Sequence, residues 1–321
     1  MRFLLPITLL TLLLLVGVAA LPPGVIVSAA GDDDFLGKWD ITVPPVGKLR
    51  GRACWLELTR ESGTLKGLFQ PGGGAAFPLP TVAIENGELR FQHSQRDRFK
   101  EFTAVYRAKI QNGRLEGTVA FGDQQPRSWT GVRAPAWPAE PPSVKPGKPV
   151  ELFNGKDTAG WLGQYQGKPV GWSVQDGILV NSEEADNIYS EKKFMNFQVA
   201  LEFRLSKGSN SGLYLRGRYE IQISDDQGRP LDVHSQGALY GFTVPSVNAS
   251  KAAGEWQRYD VTIVANRVTV VLNGTKVIDN GVIPGITGGA LDANEAEPGP
   301  IMIQGDHGKV EIRKLTVTPL E

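Results

Sequence analysis

The stretch Phe197-Gln-Val-Ala-Leu-Glu-Phe-Arg-Leu205 places apolar side chains at every second position. That period is the signature of a half-buried strand. The same alternation returns in Tyr259-Asp-Val-Thr-Ile-Val-Ala265 and Arg267-Val-Thr-Val-Val-Leu-Asn-Gly274, the latter ending in Asn-Gly, a strong hairpin turn signal. No run between residues 150 and 321 has the apolar spacing of a three-turn helix, so two packed antiparallel sheets account for this half best.

Working outward, the whole chain has 321 residues, enough for two folded units, with 38 glycines and 22 prolines, a composition of short strands and frequent turns. An all-β protein is expected. The 34 basic and 34 acidic residues cancel, which removes the electrostatic reason to expect nucleic acid or an anionic membrane surface as partner. Cys54 is the only cysteine, so no intrachain disulfide and no cysteine-based metal site can form. Its apolar flanks, Ala53 and Trp55, point to a buried thiol.

Residues 1–30 carry one basic residue, Arg2, a long apolar run and small residues at Val18-Ala-Ala20 and Val27-Ser-Ala29. This reads as an export signal and places the chain in the periplasm or outside the cell, with an uncleaved membrane anchor as the alternative. From residue 35 to 133, strand patterns such as Cys54-Trp-Leu-Glu-Leu-Thr59 and Phe102-Thr-Ala-Val-Tyr-Arg-Ala-Lys-Ile110 alternate with turns at Asn86-Gly87 and Asn112-Gly113. A small antiparallel β-barrel is expected there. Its opening Gly37-Lys-Trp39 resembles that of lipocalins, and a barrel packed with its own side chains is favoured over one that holds a ligand. Residues 134–149 carry six prolines and form an extended connector. The second domain runs from 150 to 321.

Two stretches of that domain carry candidate chemistry. In Asn210-Ser-Gly-Leu-Tyr-Leu-Arg-Gly-Arg-Tyr-Glu-Ile-Gln-Ile-Ser-Asp-Asp226, Leu213, Leu215, Tyr219, Ile221 and Ile223 fall on one side. Tyr214, Arg216, Arg218, Glu220 and Gln222 share the other parity, with a turn at Arg216-Gly-Arg218 able to reset the phase. Such a polar face is either a binding surface or a solvated sheet face. The second stretch, Gln304-Gly-Asp-His-Gly308, delivers Asp306 and His307 between two glycines at a strand end, and histidine is readily poised for proton transfer near neutral pH.

The order Leu152-Phe-Asn-Gly-Lys156, Trp172, Asp176-Gly177, Asn210-Ser-Gly-Leu-Tyr-Leu-Arg216, Glu220-Ile-Gln222, Gly254-Glu-Trp256, Leu272-Asn-Gly274, Gln304-Gly-Asp-His-Gly308 and Ile312-Arg-Lys-Leu315 resembles the 3-keto-disaccharide hydrolase family of bacterial carbohydrate catabolism. The resemblance spans essentially residues 149–321 and leaves the first domain uncovered. It implies a concanavalin A-like jelly-roll β-sandwich. It also implies action as a hydrolase or lyase on 3-keto-glycosides, by β-elimination of the C1 substituent and hydration of the resulting 3-keto-glucal. The partners implied are a carbohydrate substrate and an upstream sugar C3-oxidoreductase that makes the ketone.

On that reading His307 and Glu220 are the acid/base pair, and Arg216, Gln222, Asn210, Gln304 and Tyr214 hold the substrate. Asp306 orients these groups from behind. A divalent cation held by Glu220, His307 and Asp225 or Asp226 is the cofactor the residue types allow. The competing reading is a noncatalytic, lectin-like module in which Tyr214, Tyr219, Tyr240, Trp161 and Trp172 stack on sugar rings. The enzyme reading requires Arg216, Glu220, Gln222 and His307 to converge.

Overall fold

The computed structural model describes residues 31–47, 49–96, 101–165 and 167–321; the export signal read in residues 1–30 lies outside the described residues. Among the described residues no helix is long and apolar enough to cross a membrane.

Nine antiparallel strands between Gly37 and Arg133 form one sheet. Its inner face is filled by its own side chains, with Trp39, Phe69, Phe91, Tyr106 and Trp129 in a single cluster. Trp39 Nε1 donates to the Phe35 carbonyl (2.8 Å) and the Arg133 guanidinium lies 3.7 Å over its ring. The tryptophan read from Gly37-Lys-Trp39 is therefore buried and held at its edge and over one face. Cys54 is fully buried in the same cluster, and loss of solvation pushes its thiol up to about 12.

The connector pairs with the end of the chain rather than hanging free. Lys145 and Glu321 exchange main-chain hydrogen bonds, the Gly147 N–H donates to the Pro319 carbonyl, and Arg267 donates to the Ala139 carbonyl.

The carboxy-terminal unit is a β-sandwich of an eight-stranded and a five-stranded antiparallel sheet. Phe197–Leu205 lies between Gln257–Val264 and Val310–Pro319 in the larger sheet. Its odd positions, Val199, Leu201 and Phe203, face inward as the alternation requires. In the smaller sheet Asn210–Leu215 lies between Tyr219–Ser224 and Gly299–Ile303. Leu213, Leu215, Tyr219, Ile221, Ile223, Ile301 and Ile303 supply its inner face. Full burial of each such side chain stabilises the fold by about 1.5–3 kcal/mol before conformational entropy is counted.

The turn read at Arg216-Gly-Arg218 is present. Arg216 and Gly217 both take left-handed backbone angles (φ 55° and 68°), and the Arg218 N–H closes the turn on the Leu215 carbonyl. Because three residues separate the paired Leu215 and Tyr219, the phase survives the turn: Tyr214 lies opposite Glu220 and Gly212 opposite Gln222. The polar parity is thus one face of two adjacent strands, on the outside of the sandwich.

Candidate functional site

That outer face is not in water. Tyr214, Glu220 and Gln222 are each at most 3% exposed. Two connections cover them. Residues 237–240 zip along the edge strand, with Gln222 and Tyr240 donating to the Ala238 and Glu220 carbonyls and Gly237 donating to the Gln222 carbonyl (all 3.0 Å). From the other side comes the segment Pro284–Gly289: the Glu220 N–H donates to Thr287 Oγ1 (2.9 Å), and the Tyr214 hydroxyl donates to the Gly288 carbonyl (2.9 Å).

Glu220 is the centre of this face. Glycine at 212 leaves room for that carboxyl, since a Cβ there would sit 2.3 Å from Glu220 Oε1. Burial pushes the Glu220 carboxyl up to about 8; the neighbouring Tyr214 hydroxyl opposes that shift and the Asp306 carboxylate adds to it. The group is therefore predominantly protonated at neutral pH.

Asp306 arrives from the turn after Gly299–Ile303, and two buried asparagines hold that turn. Asn181 Nδ2 donates to the Gly305 and Gly308 carbonyls, while Asn187 Oδ1 accepts the Gly305 N–H (2.8 Å). Partial burial pulls the Asp306 carboxyl upward, but its hydrogen bond to His307 Nδ1 (2.7 Å), the His307 charge and Lys168 outweigh it and hold the group below its ordinary range. His307 is correspondingly raised by Asp306. One carboxyl is kept protonated and its neighbour ionised, the pattern that assigns an acid and a base to a pair.

Three acceptor atoms around the same turn, Asn210 Oδ1, Gln304 Oε1 and Asp186 Oδ1, are buried without a protein partner. Each is left to accept from a donor outside the chain. The Asn210 N–H donates to the His307 carbonyl (3.3 Å) and the Gln304 N–H to the Gly212 carbonyl (3.0 Å), which ties both residues to the two stretches singled out in the sequence.

The structure thus brings together Glu220, Tyr214, Gln222, Asn210, Gln304 and Asp306; the convergence of Arg216, Glu220, Gln222 and His307 that the enzyme reading called for is not met, and the arrangement departs from the expected set at three points. Arg216 is not among them. Its left-handed backbone turns the side chain away, and its Nε and Nη2 donate to the Met195 and Ala265 carbonyls (2.6 and 2.7 Å) at the other end of the sandwich. His307 does not face Glu220; its side chain is 53% exposed and contacts Asp306, so Asp306 stands where the histidine was expected. Asp225 and Asp226 are turned to donors of the chain itself. Asp226 Oδ2 accepts the Gln236 N–H and the Ser224 hydroxyl, its Oδ1 accepts Ser250, and Asp225 Oδ2 accepts the Gly208 N–H. Among the described residues no three His, Cys, Asp or Glu side chains gather at metal-binding range, so no step is routed through a cation.

The stacking platform of the lectin-like reading is not displayed either. Tyr219 and Trp172 belong to the core and Tyr214 is covered, leaving Trp161 and Tyr240, both half-buried, as the partly accessible members of that set. An open groove of about 660 Å³ lies on the amino-terminal sheet, between Thr64–Lys66, Leu79–Ala83 and Arg90–Gln92. It holds none of these residues.

Several participants had no sequence signal. Tyr165 is anchored through its N–H to Asp186 Oδ2 (2.7 Å) and carries Arg50 of the first domain 3.6 Å over its ring. Lys168 and Thr287 likewise come from irregular segments, where neither period nor motif marks them.

A 3-keto-disaccharide hydrolase of Bacteroides thetaiotaomicron is 23% identical over 167 residues, covering 40% of this chain and 57% of the relative. The chain therefore matches little more than half of that protein's length. Two crystal structures of candidate glycosyl hydrolases from Parabacteroides distasonis are 26% and 24% identical, covering 58% and 54% of this chain and 94% of each of theirs, both with a TM-score of 0.47. The sequence profile of the 3-keto-alpha-glucoside-1,2-lyase-like domain matches residues 148–318, the whole sandwich short of its last residues. Through that sandwich the chain belongs to the 3-keto-alpha-glucoside-1,2-lyase-like domain family.

Proposed function

We propose that the sandwich cleaves 3-keto-glycosides by proton transfer. The observation that carries this reading is the pair of carboxyls with opposed protonation, buried Glu220 and ionised Asp306, on the covered face of the smaller sheet. A ketone at C3 acidifies the C2 hydrogen. Asp306 takes that proton, the C1–O bond breaks as the C1=C2 bond forms, and Glu220 protonates the departing oxygen. Addition of water across C1=C2 with the roles reversed completes a net hydrolysis.

His307 and Lys168 keep Asp306 ionised for the first step. Asn210, Gln304 and Asp186 accept from the sugar hydroxyls, which fixes the ring against the two carboxyls. A substrate of this kind needs a preceding oxidation at C3, the reaction class of a sugar oxidoreductase. The export signal expected in residues 1–30 supports a site of action in the periplasm or outside the cell, with the membrane-anchored form as the alternative.

The test incubates purified protein with a 3-keto-glucoside and with its unoxidised parent, with and without a chelator, and follows release of the leaving group. Release from the keto sugar alone, unchanged by chelation and lowered about a hundredfold or more in Glu220→Gln, is the expected result. Inertness toward both sugars with retained sugar binding returns the lectin-like reading.

A further inference from the structure

We infer that the amino-terminal domain is a working part of this site: its glycine-rich loop 71–76, braced by Gln70, holds the Pro284–Gly289 segment down over Tyr214 and Glu220. The catalytic consequence rests on the function proposed above; the brace itself does not.

Gln70 is fully buried at the end of the strand Thr64–Gln70. Its Oε1 accepts the Gly72 N–H (2.9 Å) and its Nε2 donates to the Gly74 carbonyl (3.2 Å), so one side chain closes the loop on itself. The Gly72 carbonyl then accepts the Gly289 N–H from the sandwich (3.1 Å). Gly288 meets the same loop so closely that a Cβ would lie 2.6 Å from the Gly74 nitrogen. On its far side, the Gly288 carbonyl holds the Tyr214 hydroxyl. The path from Gln70 to Tyr214 is thus a continuous series of hydrogen bonds and backbone contacts across two domains.

Two further contacts fasten the same segment. Trp55 Nε1 donates to the Ile286 carbonyl (2.9 Å), and Lys38 Nζ donates to the Pro284 carbonyl (2.5 Å) while pairing with Glu295 (2.9 Å). Trp55 is 1% exposed and belongs to the core cluster of the sandwich, not to that of its own domain. The segment so fastened also carries Thr287, which caps the Glu220 N–H. Arg50 adds a further contact between the two domains, stacked on Tyr165.

The groups that face Glu220 are Tyr214 from the neighbouring strand, Tyr240 from the 225–256 connection and Asp306 from the 304–308 turn; the braced segment supplies no titratable group. Its contribution to the acid is therefore exclusion of water. Lifting it admits solvent, lowers the Glu220 pKa toward the ordinary carboxylate range and loosens Tyr214.

The experiment uses the full chain with Gln70→Ala, which removes both brace bonds without touching the sandwich. Turnover of a 3-keto-glucoside is expected to fall on the order of tenfold to a hundredfold, with KM little changed. The alkaline limb of the kcat profile moves to lower pH. Independently of substrate, the Glu220 carboxyl, assigned by ¹³C NMR against Glu220→Gln, titrates at lower pH than in the parent. Trp55→Phe, which keeps the packing and loses one bond, shifts both readouts the same way by less, and decides the matter where Gln70→Ala does not fold. A folded variant whose pH profile and Glu220 titration match the parent overturns the brace. A parent chain inert toward keto sugars overturns the activity instead, since the titration is read without substrate.

Discussion

The two sheets of the sandwich present outer faces written in the same alternating pattern, yet they meet opposite fates. On the larger sheet Glu202, Arg258, Asp260 and Arg313 form ion pairs at 2.6–3.2 Å, each side chain 20–46% exposed. These are solvated pairs, worth at most about 1 kcal/mol each. On the smaller sheet the equivalent positions carry Tyr214, Glu220 and Gln222, all but excluded from water. The difference lies in what the connecting loops cover, and with it in whether a carboxylate stays an ordinary acid or becomes one poised near neutral pH.

Substitutions matched across the two faces sharpen that contrast. Glu220→Gln is expected to lower kcat on a 3-keto-glucoside by about 10²–10⁴-fold, measured by leaving-group release, while the fold holds by circular dichroism. The same variant tests a linkage. A carboxyl raised from 4.5 to about 8 by folding favours the folded state least at high pH. Stability of the parent therefore declines between pH 4.5 and 8 on this group's account, and Glu220→Gln removes that part of the slope in denaturant titrations.

Arg216→Leu acts on stability instead. It strands the part-buried Met195 and buried Ala265 carbonyls, and a loss of about 2–5 kcal/mol is expected by urea unfolding. KM of the folded fraction stays unchanged, which a direct role in substrate binding would not allow. His307→Ala is expected to cost less than about tenfold in kcat, with the acidic limb of the profile moving up because Asp306 loses the partner that holds it ionised. Smallest is Glu202→Gln on the solvated face. It should shift stability by under about 1 kcal/mol and leave turnover unaltered; a larger loss of activity would break the comparison between the faces.

How far the site was legible follows the same division. The parity of Tyr214, Glu220 and Gln222 could be read because strand geometry alone puts alternate residues on one side. Arg216 shared that parity in the sequence and was misplaced, because a left-handed turn residue does not obey the strand's period. His307 drew attention by residue type, whereas the carboxylate beside it is the group whose charge reaches Glu220. Tyr165, Lys168, Asp186 and Thr287 sit in irregular connections or at strand ends, where no period exists to mark them.

The amino-acid sequence by itself determined the strands, their inward faces, the break at the proline-rich connector and the family of the second domain, since each depends on local periodicity, turn chemistry or short motifs. Tertiary structure alone decided which polar face is covered and which stays in water. Loops distant in the chain, one of them braced by the first domain, remove water from Glu220 and leave Glu202 in it, and solvation is a property of what surrounds a residue rather than of its neighbours in sequence.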